Sequence, residues 1–315
     1  MGEFELIRRY FARQPAVDSV ALGIGDDCAL LQLPIGRQLA VSIDTLVEGT
    51  HFLAGSDPAR LAERLLGAAV SDLAGMAAEP LWFTLALTLP EADPAWLEPF
   101  ARRLSERAAD FGIVLVGGDT TRGHRTMSVQ VHGAVEPGRA LTRRGAQPGD
   151  LVCVTGTLGD SRGGLQTLLD QSAASGDVDW LRQRFYCPEP RLAVGHRIGG
   201  IATAGLDISD GLLADLGHLL EDGLGAEIEL DGLPLSAALV ARFGREQARQ
   251  WALSGGEDFE LCFTLPEAQR SLLASLSDQV TVVGRIEAES GLRLRHPDGR
   301  LESVAAAGFD HFPDN

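Results

Sequence analysis

Gly23-Ile24-Gly25-Asp26-Asp27-Cys28-Ala29-Leu30-Leu31 places two glycines and two adjacent carboxylates directly before an apolar run. Neighbouring carboxylates repel each other, and partial burial adds a desolvation cost. A chain that keeps such a pair beside a core strand neutralises it with something positive. The expected partner is a set of Mg²⁺ ions carrying nucleotide phosphates, with the other acidic motifs of the chain completing that site.

Composition narrows the alternatives. The chain has 315 residues, 45% of them hydrophobic, enough for one large domain or two of ordinary size. Few aromatics and many Ala, Leu and Gly suit a layered helix–sheet protein. A net charge of −17 argues against nucleic acid or an anionic membrane as main partner. All 27 basic residues are arginine. The absence of lysine excludes a P-loop ATPase and a protein kinase, both of which place a lysine on the phosphates. Any phosphate chemistry here relies on metal ions, Arg and backbone N–H groups. Cys28, Cys153, Cys187 and Cys262 show no C-x-x-C spacing and read as reduced core thiols rather than zinc ligands. No basic-then-apolar leader opens the sequence and no apolar run is long enough to span a membrane, which reads as a soluble, cytoplasmic protein.

Patterning gives the expected elements. Residues 3–14 read as an amphipathic helix with Phe4, Ile7 and Phe11 on one face. Strands are expected over Cys28–Leu33 and Gln38–Ile43, joined by a Pro34-Ile35-Gly36 hairpin turn. Asp57-Pro58 starts a helix running towards Ala78. Trp82–Leu89 is a strand, Pro94–Phe111 a helix, and Ile113–Val116 a strand leading into a Gly117-Gly118-Asp119 turn. Thr126–Val135 is a further strand. The Pro/Gly-rich stretch 136–150 marks a boundary, giving domains 1–138 and 139–315. Beyond it, Leu151–Thr155 is a strand and Arg162–Gln171 a helix, and residues 172–187 read as a variable connection. A helix is expected over Pro190–Ile201, and another from Ser209-Asp210-Gly211 to Glu221. Strands 226–230, 260–264, 280–286 and 291–295 then alternate with helices 236–252 and 266–276.

Asp26-Asp27, Asp44, Asp72, Asp119 and the pair Asp207/Asp210 each stand at a strand end or in an apolar helix. Mg²⁺ takes oxygen ligands, one or two carboxylates per ion beside phosphate and water, so several ions draw on several loops. Each residue also has a plainer reading. Asp72, in the otherwise apolar run 65–76, fits a solvent-facing helix position. Asp44 fits a turn after a strand. Ser209 or Asp210 fits the N-cap of the next helix. Gly117-Gly118-Asp119-Thr120 and the turn 156–161 could cradle phosphate, or simply turn the chain. Arg143 and Arg144 could reach a phosphate or sit solvated in a linker, and His51 could be structural. In Gly255-Gly256-Glu257-Asp258-Phe259-Glu260-Leu261 an acid could recognise a cationic ligand or cap a turn. No Ser/His/Asp or Cys/His set stands out, which fits a reaction in which the substrate's own oxygen attacks.

In order and spacing, GIGDDCALL, SIDTLVEGTHF, SDLAGM, GGDTT, LTRRGAQPGD, TGTLGDS, LDISDGL, GGEDFEL and GFDHF resemble the thiamine-monophosphate kinase family nearly end to end. The resemblance implies an α/β (α+β layered) fold of the aminoimidazole-ribonucleotide synthetase type. An N-terminal sheet would form a barrel across a homodimer, and a C-terminal α/β domain would complete the active site. It implies Mg²⁺-dependent, in-line transfer of the ATP γ-phosphate to thiamine monophosphate, without a phosphoenzyme. Asp27, Ser42, the Ile43 backbone, Asp44, Asp72, Asp119, Asp207 and Asp210 would hold Mg²⁺. Gly118, Asp119, Arg143 and Ser209 would contact ATP. His51, Glu257 and Phe309 would contact thiamine monophosphate, with Phe309 standing where the family commonly has Trp. Two other readings stay open: an ATP-dependent ligase acting on a phosphoribosyl amidine, and a non-catalytic nucleotide or thiamine binder. The motifs assign Asp27 as the ligand and leave Asp26 to water, the turn, or an indirect role.

Overall fold

In the computed structural model, which describes residues 2–221, 223–276 and 280–308, the chain divides into two units. Met1–Leu73 with Ala78–Gly138 form the first, and Ala74–Ala77 with Arg139–Asn315 the second.

The first unit opens with helix α1 (Glu3–Tyr10), shorter than expected. It buries Leu6 and leaves Phe4 exposed. Strands β1 (Val20–Leu22) and β2 (Leu30–Leu31) pair antiparallel, so the acidic stretch 23–29 is the connection of a small ribbon. Val20, Ala29 and Leu33 pack on Trp82, Val114 and Val116, and Trp82 Nε1 donates to Ser19 Oγ at 3.0 Å. The expected Pro34–Gly36 hairpin is not formed. β2 pairs with β1, whereas β3 (Gln38–Val47) runs antiparallel to β6 (Thr126–Val135).

β3 continues through Asp44, because the β-branched residues of Ser42-Ile43-Asp44-Thr45-Leu46-Val47 favour a pleated edge strand. Helix α2 (Pro58–Gly75) starts on Asp57, whose Oδ1 accepts from the Ala59 and Arg60 N–H groups at 2.8 and 3.2 Å. Residues 61–70 of α2 are all buried, including the charged Arg64 and Glu63, whose Oε1 accepts from Arg103 Nε at 2.5 Å. β4 (Glu79–Leu89) alternates buried Phe83, Leu85, Leu87 and Leu89 with more open Thr84, Ala86 and Thr88. Helix α3 (Pro94–Phe111) is capped by Asp93 and stopped by left-handed Gly112. It crosses over to β5 (Val114–Arg122), parallel to β4. The sheet order is β3-β6-β4-β5. The expected Gly117–Asp119 turn is instead the middle of β5.

The second unit carries a seven-stranded sheet. Its strands are β7 (Leu151–Thr155), β8 (Ala204–Asp207), β9 (Gly225–Glu229), β10 (Leu261–Leu265), β11 (Val280–Glu287), β12 (Gly291–Arg295) and β13 (Leu301–Val304), in the order β13-β12-β9-β11-β7-β10-β8. Only β12 and β9 pair parallel. Alternate residues feed two cores, Val152, Val154 and Cys262 on one face, Leu151, Cys153 and Phe263 on the other, so this sheet is covered on both sides. Cys153, Cys187 and Cys262 are buried as expected, but Cys28 is exposed in the ribbon connection.

Its helices are α4 (Asp160–Leu169), α5 (Gly176–Tyr186), α6 (Leu192–Ile198), α7 (Leu212–Gly217), α8 (Ala237–Phe243) and α9 (Arg245–Ser254). Several sequence expectations fail here. The helix expected over 266–276 is a 3-10 helix, Glu267–Ser275, and the helix expected to reach Glu221 ends at Gly217. Residues 172–187 hold α5, capped by Ser175 and burying Val178, Leu181, Phe185 and Tyr186. The single helix 236–252 is split at Gly244, which adopts φ 80°. β13 was not anticipated at all.

Candidate active site

In the first unit the ribbon connection and β5 share a cavity of about 550 Å³. Asp27, Gly118 and Asp119 line it, with Phe4 and Ile7 of α1 and Phe11 at its C-terminal end as an apolar wall. Asp26 Oδ1 accepts the Asp27 backbone N–H at 3.1 Å, so Asp26 braces the turn that presents Asp27. Gly118 has φ 156°, and a Cβ built there would lie 2.0 Å from the Leu85 carbonyl oxygen. Only glycine lets β5 approach β4 this closely.

A second cluster forms where β3 meets α2. Ser42 Oγ donates to Asp72 Oδ2 at 2.5 Å, which rules out the plain solvent-facing reading of Asp72. Asp44 lies two residues along the same strand face. Burial, and then the Asp72 charge, push its carboxyl up to about 7. The main-chain N–H of Val47 donates to His51 Nδ1 at 3.0 Å, which leaves the ring proton of the neutral imidazole on Nε2. Asp119 does not join this cluster. Cross-strand hydroxyl pairs, Thr45–Ser128 at 2.7 Å and Thr88–Thr121 at 2.9 Å, mark the open face of the sheet. Register places Asp119 on that face and Asp44 on the face towards α2.

In the second unit Asp207 ends β8 and is 9% exposed. Ser209 and Asp210 follow in a loop held by main-chain hydrogen bonds on both sides. The Ser209 carbonyl accepts from Glu257 N at 2.7 Å and the Ile208 carbonyl from Phe259 N at 2.9 Å. Glu257 and Phe259 adopt φ 58° and 52°, left-handed conformations that L side chains hold only under constraint. Neither Ser209 nor Asp210 caps α7. The carboxylate of Asp215 instead receives the N–H groups of Ser209, Asp210 and Gly211, each at 3.0 Å. Arg143 is exposed beside the edge strand β8, where Gly205 N donates to the Thr142 carbonyl at 2.9 Å.

Three further acids of this unit hold backbone or side chains in place. Asp258 accepts the N–H groups of Gly159 and Ser161 at 2.6 and 3.1 Å, capping α4 and closing the 156–161 turn. Asp160 accepts hydroxyls from Thr157 and Ser236, both at 2.5 Å. Glu260, fully buried, accepts from Arg184 and from both Nε and Nη2 of Arg191, all at 2.6 Å, and from Thr155 Oγ1 at 2.5 Å. Burial opposes its ionisation, but the Arg191 bonds and the Arg184 charge prevail and hold the carboxyl below its ordinary value. Of the GGEDFEL acids, Asp258 and Glu260 are therefore structural.

The structure thus brings together Ser42, Asp44 and Asp72; Asp27, Gly118 and Asp119; and, in the second unit, Asp207, Ser209, Asp210 and Glu257. Phe309 lies outside the described residues. Sequence reasoning missed the wall formed by α1, though the Phe4/Ile7/Phe11 spacing was visible, and it missed Asp215. Among the described residues no three His, Cys, Asp or Glu side chains form a ready-made metal cluster. The donor chemistry nevertheless fits Mg²⁺. The Asp44–Asp72 pair supplies hard oxygens only, two carboxylates with a hydroxyl between their strand and helix, and Mg²⁺ completes such a set with phosphate and water.

Residues 25–135 match the AIR synthase related protein, N-terminal domain, and residues 147–297 its C-terminal domain. The thiamine-monophosphate kinase of Escherichia coli (strain K12) is 48% identical over 320 residues, covering 99% of this chain and 98% of the relative. That of Haemophilus influenzae (strain Rd) is 45% identical, covering 100% and 99%. The crystal structure of thiamine-monophosphate kinase from Stenotrophomonas maltophilia K279a superposes with a TM-score of 0.84 at 41% identity, covering 94% of this chain and 95% of that one. AaThiL complexed with AMPPCP and TMP gives a TM-score of 0.80 at 32% identity, covering 98% and 96%. A hydrogenase maturation protein HypE in complex with ATP shares the fold at 20% identity, with a TM-score of 0.77 and coverage of 98% and 95%. The chain belongs to the AIR synthase related proteins and, within them, to the thiamine-monophosphate kinase family.

Proposed function

We propose that this protein transfers the γ-phosphate of ATP to thiamine monophosphate, giving thiamine diphosphate and ADP. The observation that carries the reading is the Asp44–Asp72 pair in a chain without lysine: Ser42 Oγ joins strand to helix by donating to Asp72, and burial and then the Asp72 charge hold the Asp44 carboxyl up. Such a pair calls for a divalent cation. The full-length kinship with thiamine-monophosphate kinases, and the AaThiL relative complexed with AMPPCP and TMP, support the same substrates.

In the first unit Asp27, Ser42, the Ile43 backbone, Asp44, Asp72 and Asp119 would hold Mg²⁺, as would Asp207 and Asp210 in the second. When bound, Mg²⁺ neutralises the phosphate oxygens and the charge that develops between them. Gly118 and Asp119 border the first-unit cavity that would receive ATP, with α1 as its apolar wall; Arg143 and Ser209 are the second-unit residues proposed to contact ATP. Arg143 suits a phosphate because its planar fork binds two oxygens at once. His51 would contact thiamine monophosphate. Glu257 would set a carboxylate against the cationic thiazolium, and Phe309 a ring face. The attacking atom is an oxygen of the acceptor's own phosphate, so the protein's work is to align and to neutralise.

A homodimer fits the first unit. Leu39, Val41 and Ile43 are 50, 50 and 60% exposed along the edge strand β3, an apolar stripe that a second copy would cover. Changing all three to Ser should yield a monomer by light scattering. No helix among the described residues is long and apolar enough to cross a membrane.

The test is an acceptor assay with Mg²⁺ and ATP. Equimolar thiamine diphosphate and ADP should appear from thiamine monophosphate. Turnover that ignores thiamine monophosphate and requires formylglycinamidine ribonucleotide would establish the ligase instead.

A further inference from the structure

Asp215 stands in the first turn of the short helix α7 and is 2% exposed. A single oxygen, Oδ2, accepts three consecutive main-chain N–H groups, those of Ser209, Asp210 and Gly211, at 3.0 Å each. A helix start needs one such bond from a capping side chain. Three successive N–H groups converging on one point make an anion-binding concavity. Here the anion is part of the chain. The loop therefore cannot turn these donors towards a phosphate, and what it can offer a ligand is oxygen: the carboxylates of Asp207 and Asp210 and the hydroxyl of Ser209. The carbonyls on the other side are fixed too, since Ser209 and Ile208 accept from Glu257 and Phe259 at 2.7 and 2.9 Å. One carboxylate thus clamps a loop whose far edge sets the backbone of Glu257.

We infer that Asp215 is a positioning residue that holds the Asp207–Asp210 loop as a cation-binding loop, and through the Ser209 carbonyl fixes Glu257. The inference rests on the metal and substrate roles proposed above for those residues. Its bonds are charge-assisted, so the hold depends on the acceptor and on its charge. Its negative charge, lying against the Asp210 main chain, adds to the field that draws a divalent cation to the loop.

The full-length chain carrying Asp215→Ala or Asp215→Asn separates this role from a stabilising one. Mn²⁺ binding, followed by the electron paramagnetic resonance of the free ion, needs no turnover. Mg²⁺ half-saturation and the KM for thiamine monophosphate are read alongside, with Tm. Partners that orient metal ligands alter affinity or activity by about 10–100-fold when removed. Asp215→Ala should weaken Mn²⁺ binding and raise the Mg²⁺ half-saturation by about that factor, and raise the KM for thiamine monophosphate through Glu257. Asp215→Asn keeps an oxygen for the three N–H groups but not the charge, and should show a smaller, severalfold shift with Tm near wild type. Wild-type Mn²⁺ affinity and Mg²⁺ half-saturation in either folded variant overturn the inference, however far Tm falls. If the Ala variant does not fold, the Asn variant decides by the same criterion. Should the wild-type protein make no thiamine diphosphate, the proposed reaction fails while the Mn²⁺ measurement still judges Asp215.

Discussion

Two acidic pairs of the first unit crowd each other, whereas four acids of the second unit are answered by donors. Asp44 faces Asp72, and Asp26 adjoins Asp27. In the second unit Glu260 meets two arginines, Asp258 two main-chain N–H groups, Asp160 two hydroxyls, and Asp215 three N–H groups. Both arrangements are acidic, so net charge alone cannot tell them apart. Crowded carboxylates lower the stability of the metal-free fold and are retained for what they bind. Answered carboxylates hold backbone in place. Mutation should therefore separate activity from stability cleanly between the units.

The largest effect is expected at Asp72. Asp72→Asn should lower kcat by on the order of 10³-fold, since metal charge stabilisation contributes several kcal/mol and each 1.4 kcal/mol is tenfold. Its Tm without metal should stay at or above wild type, because a repelling charge is gone. A variant with wild-type turnover would show that the crowded pair does not hold the metal. Glu260→Gln should do the reverse. Breaking a buried pair by removing one partner costs about 3–5 kcal/mol, so denaturant midpoints should drop sharply while kcat per folded molecule is kept. A folded Glu260→Gln that is stable but inactive would erase the contrast.

Next in size is a pH effect from Asp44. Its carboxyl is raised from 3.8 to about 7 in the fold. A raised pKa means that the unfolded chain ionises first, so this group's contribution to stability is full below about 4 and is lost as pH rises through about 7. Without divalent ions, Asp44→Asn should raise Tm above pH 7, and the gain should vanish towards pH 4. Metal binding runs the other way, because the proton competes with Mg²⁺. The Mg²⁺ half-saturation of the wild-type enzyme should climb as pH falls below 7, and a flat profile would remove Asp44 from the metal set. The smallest change is expected at Asp26. Asp26→Asn keeps an acceptor for the Asp27 N–H and should alter kcat less than about threefold, whereas Asp27→Asn should cost about tenfold or more. Equal losses at the two positions would make both of them ligands.

Sequence legibility followed the range of the interaction involved. α3, β6 and β7 fall on the expected residues because their signals are local: an Asp-Pro start and a Gly stop for α3, strict alternation for β6, a short apolar run for β7. α5 was equally readable. Ser175 as cap and Val178, Leu181 and Phe185 at helical spacing were masked by the small polar residues before them. The acidic motifs named the candidate residues of both units, but not which acids are spent on structure. Asp258 and Glu257 are neighbours, and only the partners brought by α4 distinguish them. Asp215 looked like an ordinary helix residue because its three donors come from a loop whose path the sequence does not reveal. Asp119 and Asp44 read alike in sequence, yet the pleat sets them on opposite faces.

The gap beside Gly118 has a consequence for the family's freedom to vary. The space between its Cα and the Leu85 carbonyl is smaller than a methyl group, so this position cannot drift through alanine or serine by single small steps. Substitution there must await a rearrangement of the β4–β5 pairing, and that pairing carries Asp119. Selection for the strand contact and selection for the proposed ligand Asp119 would thus act on the same few atoms. A screen of random variants should recover this position as invariant even under conditions that ask only for a folded protein.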